Sequence, residues 1–153
     1  MDSAPKPYRW SLADLLSFVP FVASVVNWFV SLFLPATNRA PGIECLGLSL
    51  FGTVVPVQGY YFLSIVASVM HGTLLLVVVS RFRRGRFWAR PRCFVAAGVL
   101  VGGVGIYGLI GEAAFNSLQV GYRVWLSSFL LMAVALTLSG LQSGDTPAGE
   151  PDC

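Results

Sequence analysis

Charge is what this sequence has least of. Only 11% of its 153 residues are Asp, Glu, Lys or Arg, where a soluble domain carries about a quarter. Apolar residues make up 56% and the mean hydropathy is +0.73, so the expected solvent is lipid. The chain has one histidine and three cysteines. Cys45, Cys93 and Cys153 lie far apart, without a C-x-x-C pair or a histidine at ligand spacing, which leaves zinc and thiol-redox chemistry without support. None of Asn27, Asn38 or Asn116 begins an N-x-[ST] sequon, so no N-glycan is expected. A G-x-S-x-G elbow, a Walker loop and an H-E-x-x-H helix are all missing; the expectation is a protein that is not an enzyme and has no cofactor. A span needs about 20 apolar residues. This length accommodates four of them with short connections and no separate soluble domain.

The little charge present is concentrated. Arg81, Arg83, Arg84, Arg86, Arg90 and Arg92 fall between two long uncharged stretches. A central arginine costs about 2.5–3.5 kcal/mol in a membrane helix, so residues 81–92 read as a loop between two spans. The positive-inside bias puts that loop in the cytoplasm. The net charge of +3 comes almost entirely from this block, so nucleic acid is not an expected partner. Anionic lipid headgroups are, at about 1 kcal/mol per basic residue near the leaflet.

Residues 1–11 form a polar head with Lys6 and Arg9, and the first span runs over 12–34, with Asp14, Pro20 and Asn27 inside it. It is too long for the 7–15-residue core of a signal peptide, and it should kink near Pro20. In the next segment Leu46, Leu48 and Leu50 alternate with Gly47, Ser49 and Phe51. That is the period of a strand. A short outer strand or irregular segment over 46–57 is favoured over an early start to the second helix, because Gly47, Gly52 and Pro56 oppose an uninterrupted helix.

The second span is 60–80, opened by the aromatic girdle Tyr60, Tyr61 and Phe62, and the third is 93–111. Tyr122 and Trp125 read as interfacial anchors of a fourth span over 124–141. The tail, 142–153, has three acids, two glycines and two prolines with no apolar run, and should be disordered. This arrangement places eight of the ten basic residues inside, with both termini cytoplasmic. The expected class is all-α: a four-helix membrane bundle with a short extracellular β or irregular segment.

Three constellations stand out. Gly98 and Gly102 form a GxxxG pair that Gly105 extends, a groove suited to close helix approach. It reads first as packing within the chain and second as a homodimer seam. Asp14, His71 and Glu112 are the ionisable residues in or beside spans, where burial is expensive. Asp14 and Glu112 can reach interfacial water, whereas His71 should sit near mid-membrane. Its structural reading is a neutral imidazole donating to a carbonyl of a neighbouring helix; its functional reading, with Asp14, is a proton relay or ligand site. Cys93, at a helix mouth, reads as a buried thiol or a palmitoylation site.

Four spans, a longer first outer loop and two cytoplasmic ends together resemble the claudin-type tetraspan superfamily. The stretch from Phe33 to Gly52 is similar to the loop of its amastin branch, where a cysteine precedes a Ser/Thr-Leu-Trp/Phe-Gly signature. Cys45 and Ser49-Leu50-Phe51-Gly52 supply the pieces, with two extra residues between them and no second cysteine following. The resemblance implies a structural or cell-surface role in adhesion, barrier formation or membrane organisation, at the plasma membrane rather than an internal one. Its working surfaces would be the outer segment with Leu46, Leu48, Leu50 and Phe51, the glycine groove, and the arginine block. Its partners would be lipids and other membrane proteins, a second copy among them. The rival expectations are a small transporter or channel using Asp14 and His71, and an accessory subunit of a larger membrane complex.

Overall fold

The computed structural model describes residues 12–36, 41–51, 61–82, 90–114 and 119–142. They form five helices: α1 Leu12–Ser31, α2 Gly42–Phe51, α3 Tyr61–Phe82, α4 Arg90–Ala114 and α5 Val120–Gln142. The head, the tail with Cys153, and Arg83, Arg84 and Arg86 lie outside the described residues, as do the side chains of Asp14, Leu48, Leu50, Phe51, Arg90 and Glu112.

Three helices are long and apolar enough to cross a membrane, over Phe62–Arg81, Pro91–Leu109 and Val120–Gln142, and α1 adds a shorter apolar helix, Leu15–Ser31. Large aliphatic and aromatic side chains point outward on every long helix: Val19 and Phe29 on α1, Leu76 on α3, Val95 and Leu109 on α4, Val134 on α5. A water-soluble monomer does not expose apolar surface on that scale. The chain is an integral membrane protein.

The outer segment departs from the sequence expectation. Where a strand was expected at Leu46, Leu48 and Leu50, the chain is helical from Gly42 to Phe51, and among the described residues there is no strand beyond the isolated bridge between Pro35 and Pro41. Residues 52–57 of that expected strand lie outside the described residues. The cause is local. Pro41 precedes the first turn and its carbonyl accepts from Glu44 N and Cys45 N at 3.2 and 3.3 Å, Glu44 lies in that turn at the positive end of the helix dipole, and the helix start is anchored to the end of α1. Gly42 N donates to Leu34 O at 2.9 Å and Ile43 N to Leu32 O at 2.8 Å, so orphan groups of the two helix ends satisfy one another. Only glycine fits at position 42, because a Cβ there would collide with the Ser31 carbonyl.

The same turn is held from its other side by α5. Gly121 N donates to Pro35 O at 3.0 Å and Gln119 N to Ala36 O at 3.2 Å, and a Cβ on Gly121 would come within 2.7 Å of the Pro35 oxygen. This clasp sets α1 antiparallel to α5. Further along the pair Ser24 Oγ donates to Ser128 O at 2.7 Å and Asn27 Nδ2 to Ser127 Oγ at 3.4 Å. Helix α1 runs continuously through Pro20 and ends at Ser31, three residues before the expected boundary.

The arginine block is shorter as a loop than expected. Arg81 lies in the last turn of α3 and Arg90 and Arg92 in the first turns of α4, because Pro91 is tolerated in a first turn and arginine is a good helix former. The core lies between α3, α4 and α5, around Met70, Leu74, Leu100, Phe129 and Met132, with Phe21, Val25 and Trp28 of α1 packed against it. Cys93 is buried and faces Gly140 of α5. That is its packing role; a thiol so enclosed is not a surface acylation site.

Candidate functional site

The polar centre of the bundle is built around His71. It lies midway along α3 and is 3% exposed, the only Asp, Glu, Lys, Arg or His side chain buried among the described residues. Its Nδ1 is 2.7 Å from the Ala67 carbonyl one turn back on its own helix, and a carbonyl only accepts, so Nδ1 carries the proton. Its Nε2 faces Trp125 Nε1 at 3.2 Å, and an indole N–H only donates, so Nε2 is bare. The two partners together assign one neutral tautomer. The neutral state matches the sequence expectation; the donor bond runs to His71's own helix instead of a neighbour, and the interhelical bond is one that His71 accepts.

Aromatic rings from two helices enclose it. Trp28 of α1 meets the imidazole at 6.2 Å and 65°, Phe129 of α5 at 5.5 Å and 86°, and Trp125 of α5 at 5.7 Å and 32°. Tyr107 of α4 stands edge-on to Trp125 at 5.1 Å and 76°. Its hydroxyl donates to Leu63 O at 2.7 Å, and the Tyr122 hydroxyl donates to Tyr107 O, also at 2.7 Å. All four long helices therefore meet in one box. Every ring nitrogen and hydroxyl named here has its partner except Trp28 Nε1, a buried donor with none among the described residues.

The box corrects the role expected of two residues. Tyr122 and Trp125, expected as interfacial anchors, turn their rings inward onto Tyr107 and His71. Nor does Asp14 join His71. Trp28 marks the level of the histidine on α1, and Asp14 lies fourteen residues before it, about 21 Å along a helix rising 1.5 Å per residue. The spacing Tyr122, Trp125, Phe129, at i, i+3 and i+7, is the signal that would have revealed the box.

The other expected surfaces lie elsewhere. Gly98, Gly102 and Gly105 are exposed, and a Cβ added at any of them meets nothing within 4 Å. Their face of α4 is turned away from the other described helices, so none of the described residues packs into it. The adjacent Gly103 is the glycine that packs inside, against Met70. Of the outer segment, Leu46 is half-buried on α2. Cys45 beside it has its thiol pushed up from 9.0 by burial and, secondarily, by the Glu44 carboxylate, the opposite of a reactive low-pKa cysteine. Arg81 and Arg92 are both exposed, with the Arg81 guanidinium 5.9 Å from the centre of the Phe21 ring, a cation–π distance. No group of three or more His, Cys, Asp or Glu side chains converges among the described residues.

Compared with protein-family models, with curated proteins and with solved structures, the chain has no match.

Proposed function

We propose that this chain is a non-enzymatic four-span membrane protein of claudin-type architecture, with both termini in the cytoplasm. It acts by assembling with partner proteins and anionic lipid, in membrane organisation or adhesion, at the plasma membrane. As the fourth span, α1 has 20 residues, about 30 Å of helix and equal to the hydrocarbon thickness. It also lies antiparallel beside α5, itself long enough to cross. The orientation follows the arginine block.

The observation that carries assembly over transport is the saturation of His71. A proton-coupled carrier needs a group inside the bilayer that changes protonation and meets its substrate. Both nitrogens of His71 are instead committed to partners within the bundle, and Asp14 is too distant along α1 to share its site. The polarity is turned inward as glue between helices, which leaves the outer faces as the surfaces on which partners act.

The deciding experiment is reconstitution in proteoliposomes alongside proximity labelling in the native cell. Wild type should carry no pH-dependent flux, and the Asp14→Asn, His71→Gln double variant should fold, reach its membrane and label the same neighbours as wild type. Flux in wild type that the double variant abolishes without unfolding would replace this reading with a transporter.

A further inference from the structure

An open groove of about 560 Å³ runs between α3 and α4, lined by Val69, Gly72 and Leu76 on one side and Val95 and Val99 on the other, with Arg92 at one end. Its depth in the membrane can be set from the helix register. Met70 lies against Gly103, and eleven residues on along α3 and eleven back along α4 bring Arg81 level with Arg92. Both arginines thus stand at the membrane face where the basic block lies. Along α4 the groove descends about 10 Å from Arg92 to Val99, and along α3 it reaches Val69, about 18 Å below Arg81 at 1.5 Å per residue, against the ~15 Å that one leaflet contributes to a ~30 Å core. It is an apolar slot that opens at the arginine face and reaches about the bilayer midplane, with a guanidinium at its mouth.

A groove open to a bilayer is filled by something apolar, so its charged mouth decides the occupant. A second copy of this chain docked there would set its own arginine block against this one, and like charges across an interface repel. A phospholipid has the complementary pattern: a hydrocarbon chain for the slot and a phosphate that a guanidinium grips with two parallel hydrogen bonds. We propose that the groove is a site for one anionic glycerophospholipid of the leaflet facing the arginine block, its acyl chain between α3 and α4 and its phosphate at Arg92. This deepens, and rests on, the reading that the arginine block meets anionic headgroups. It adds a defined place, a stoichiometry of one and a role for α3 and α4.

The full-length protein in phosphatidylcholine nanodiscs tests this, with a trace of phospholipid bearing a diazirine in its acyl chain and either a phosphatidylglycerol or a phosphatidylcholine headgroup. After irradiation the labelled peptides are mapped by mass spectrometry. The phosphatidylglycerol probe should label residues 69–76 and 95–99 about fivefold more than the phosphatidylcholine probe, the factor given by ~1 kcal/mol for one arginine near the headgroup. Arg92→Gln should erase that preference. Gly72→Leu puts a side chain where an added Cβ meets nothing, so it fills the slot without disturbing the bundle, and labelling there should fall to the level of the other outer helix faces. Equal labelling by the two headgroups, labelling spread evenly over all helices, or no effect of Gly72→Leu overturns the site. The variant with Arg83, Arg84 and Arg86 changed to Gln reports separately on the arginine block. If it weakens binding to phosphatidylglycerol vesicles while the groove stays unlabelled, the site falls and the lipid reading stands.

Discussion

Replacing His71 with Phe keeps a flat ring among Trp28, Trp125 and Phe129 but removes both of its hydrogen bonds. The two losses are unequal. The Ala67 carbonyl lies inside α3 and keeps its bond from the backbone N–H four residues on. Trp125 Nε1 has no such reserve: its acceptor at 3.2 Å is gone, and a buried donor left unpaired costs about 1–3 kcal/mol. Interhelical hydrogen bonds in a bilayer average nearer 0.6 and reach about 1.7 kcal/mol, so the expected destabilisation is about 1–2 kcal/mol. His71→Gln, whose amide oxygen can still accept, should cost about half of that or less.

The measurement is unfolding in mixed micelles titrated with SDS and followed by circular dichroism. A double-mutant cycle isolates the bond, because Trp125→Phe removes the donor that His71→Phe strands. Trp125→Phe alone should cost about 2–4 kcal/mol, since its ring packs against Tyr107, Tyr122 and Phe129. In that background His71→Phe should be nearly free, leaving a coupling of about 1–2 kcal/mol. Additive single costs, or a His71→Phe protein as stable as wild type, would refute the account of the box. Trp28→Phe is the internal control: its indole N–H has no partner among the described residues, so it should cost clearly less than Trp125→Phe.

The remaining predictions concern the outer faces. Gly102→Leu should leave the stability of the isolated chain within about 0.5 kcal/mol, because its Cβ meets nothing, and on the assembly reading should lower partner capture. Gly103→Leu should destabilise by at least about 1–3 kcal/mol through overpacking on fully buried Met70. Equal thermal stability of the two variants would show that the rotation of α4 is wrong. Cys45 should alkylate more slowly at pH 7.5 than an exposed cysteine, its rate still climbing above pH 9, and Glu44→Gln should speed it, because burial first and Glu44 second raise the thiol. In intact cells an impermeant maleimide should reach Cys45 and spare Cys153; labelling of the tail would sink the proposed topology.

Length and hydropathy were enough to find α3, α4 and α5, because the expected boundaries 60–80, 93–111 and 124–141 depend only on how many apolar residues follow one another. What those quantities lack is rotation. A helix with lipid on one side and an apolar core on the other is hydrophobic all round, so the sequence has no polar stripe to say which face is which. Gly102 and Gly103 are neighbours, about 100° apart around α4 at 3.6 residues per turn, and only the second packs inside. Trp125 was placed at an interface on its position near a span end, yet it turns inward to His71. The misread of α2 has another origin. Leu46, Leu48 and Leu50 satisfy a period of two, but Ile43, Leu46 and Leu50 also satisfy i, i+3, i+7. Ten residues do not separate the periods; the Pro41 and Gly42 anchoring to α1 does.

His71 escaped full reading for a reason that bears on function. A lone histidine in a span advertises chemistry, because charging it there is expensive, and nothing in its immediate sequence says that a tryptophan 54 residues away donates to it. The serines around it tell the same story at lower stakes. Ser31, Ser127 and Ser128 each return their hydroxyl proton to the carbonyl three residues back, on Trp28, Val124 and Trp125, while Ser24 spends its own across the α1–α5 contact. Ser24 thus ties α1 to α5, and the other three satisfy their hydroxyls within their own helices, so none of these four donors is left over. On the proposed reading, selectivity resides where polarity faces outward, and among the described residues that is at the helix ends. One end is the clasp of residues 32–36 between α2 and α5; the other is the level of Arg81 and Arg92. The first ties the start of α2 to the end of α1, and on the proposed reading the second is where anionic headgroups gather. On the proposed assembly reading, the chain works through those two ends as a scaffold for its neighbours.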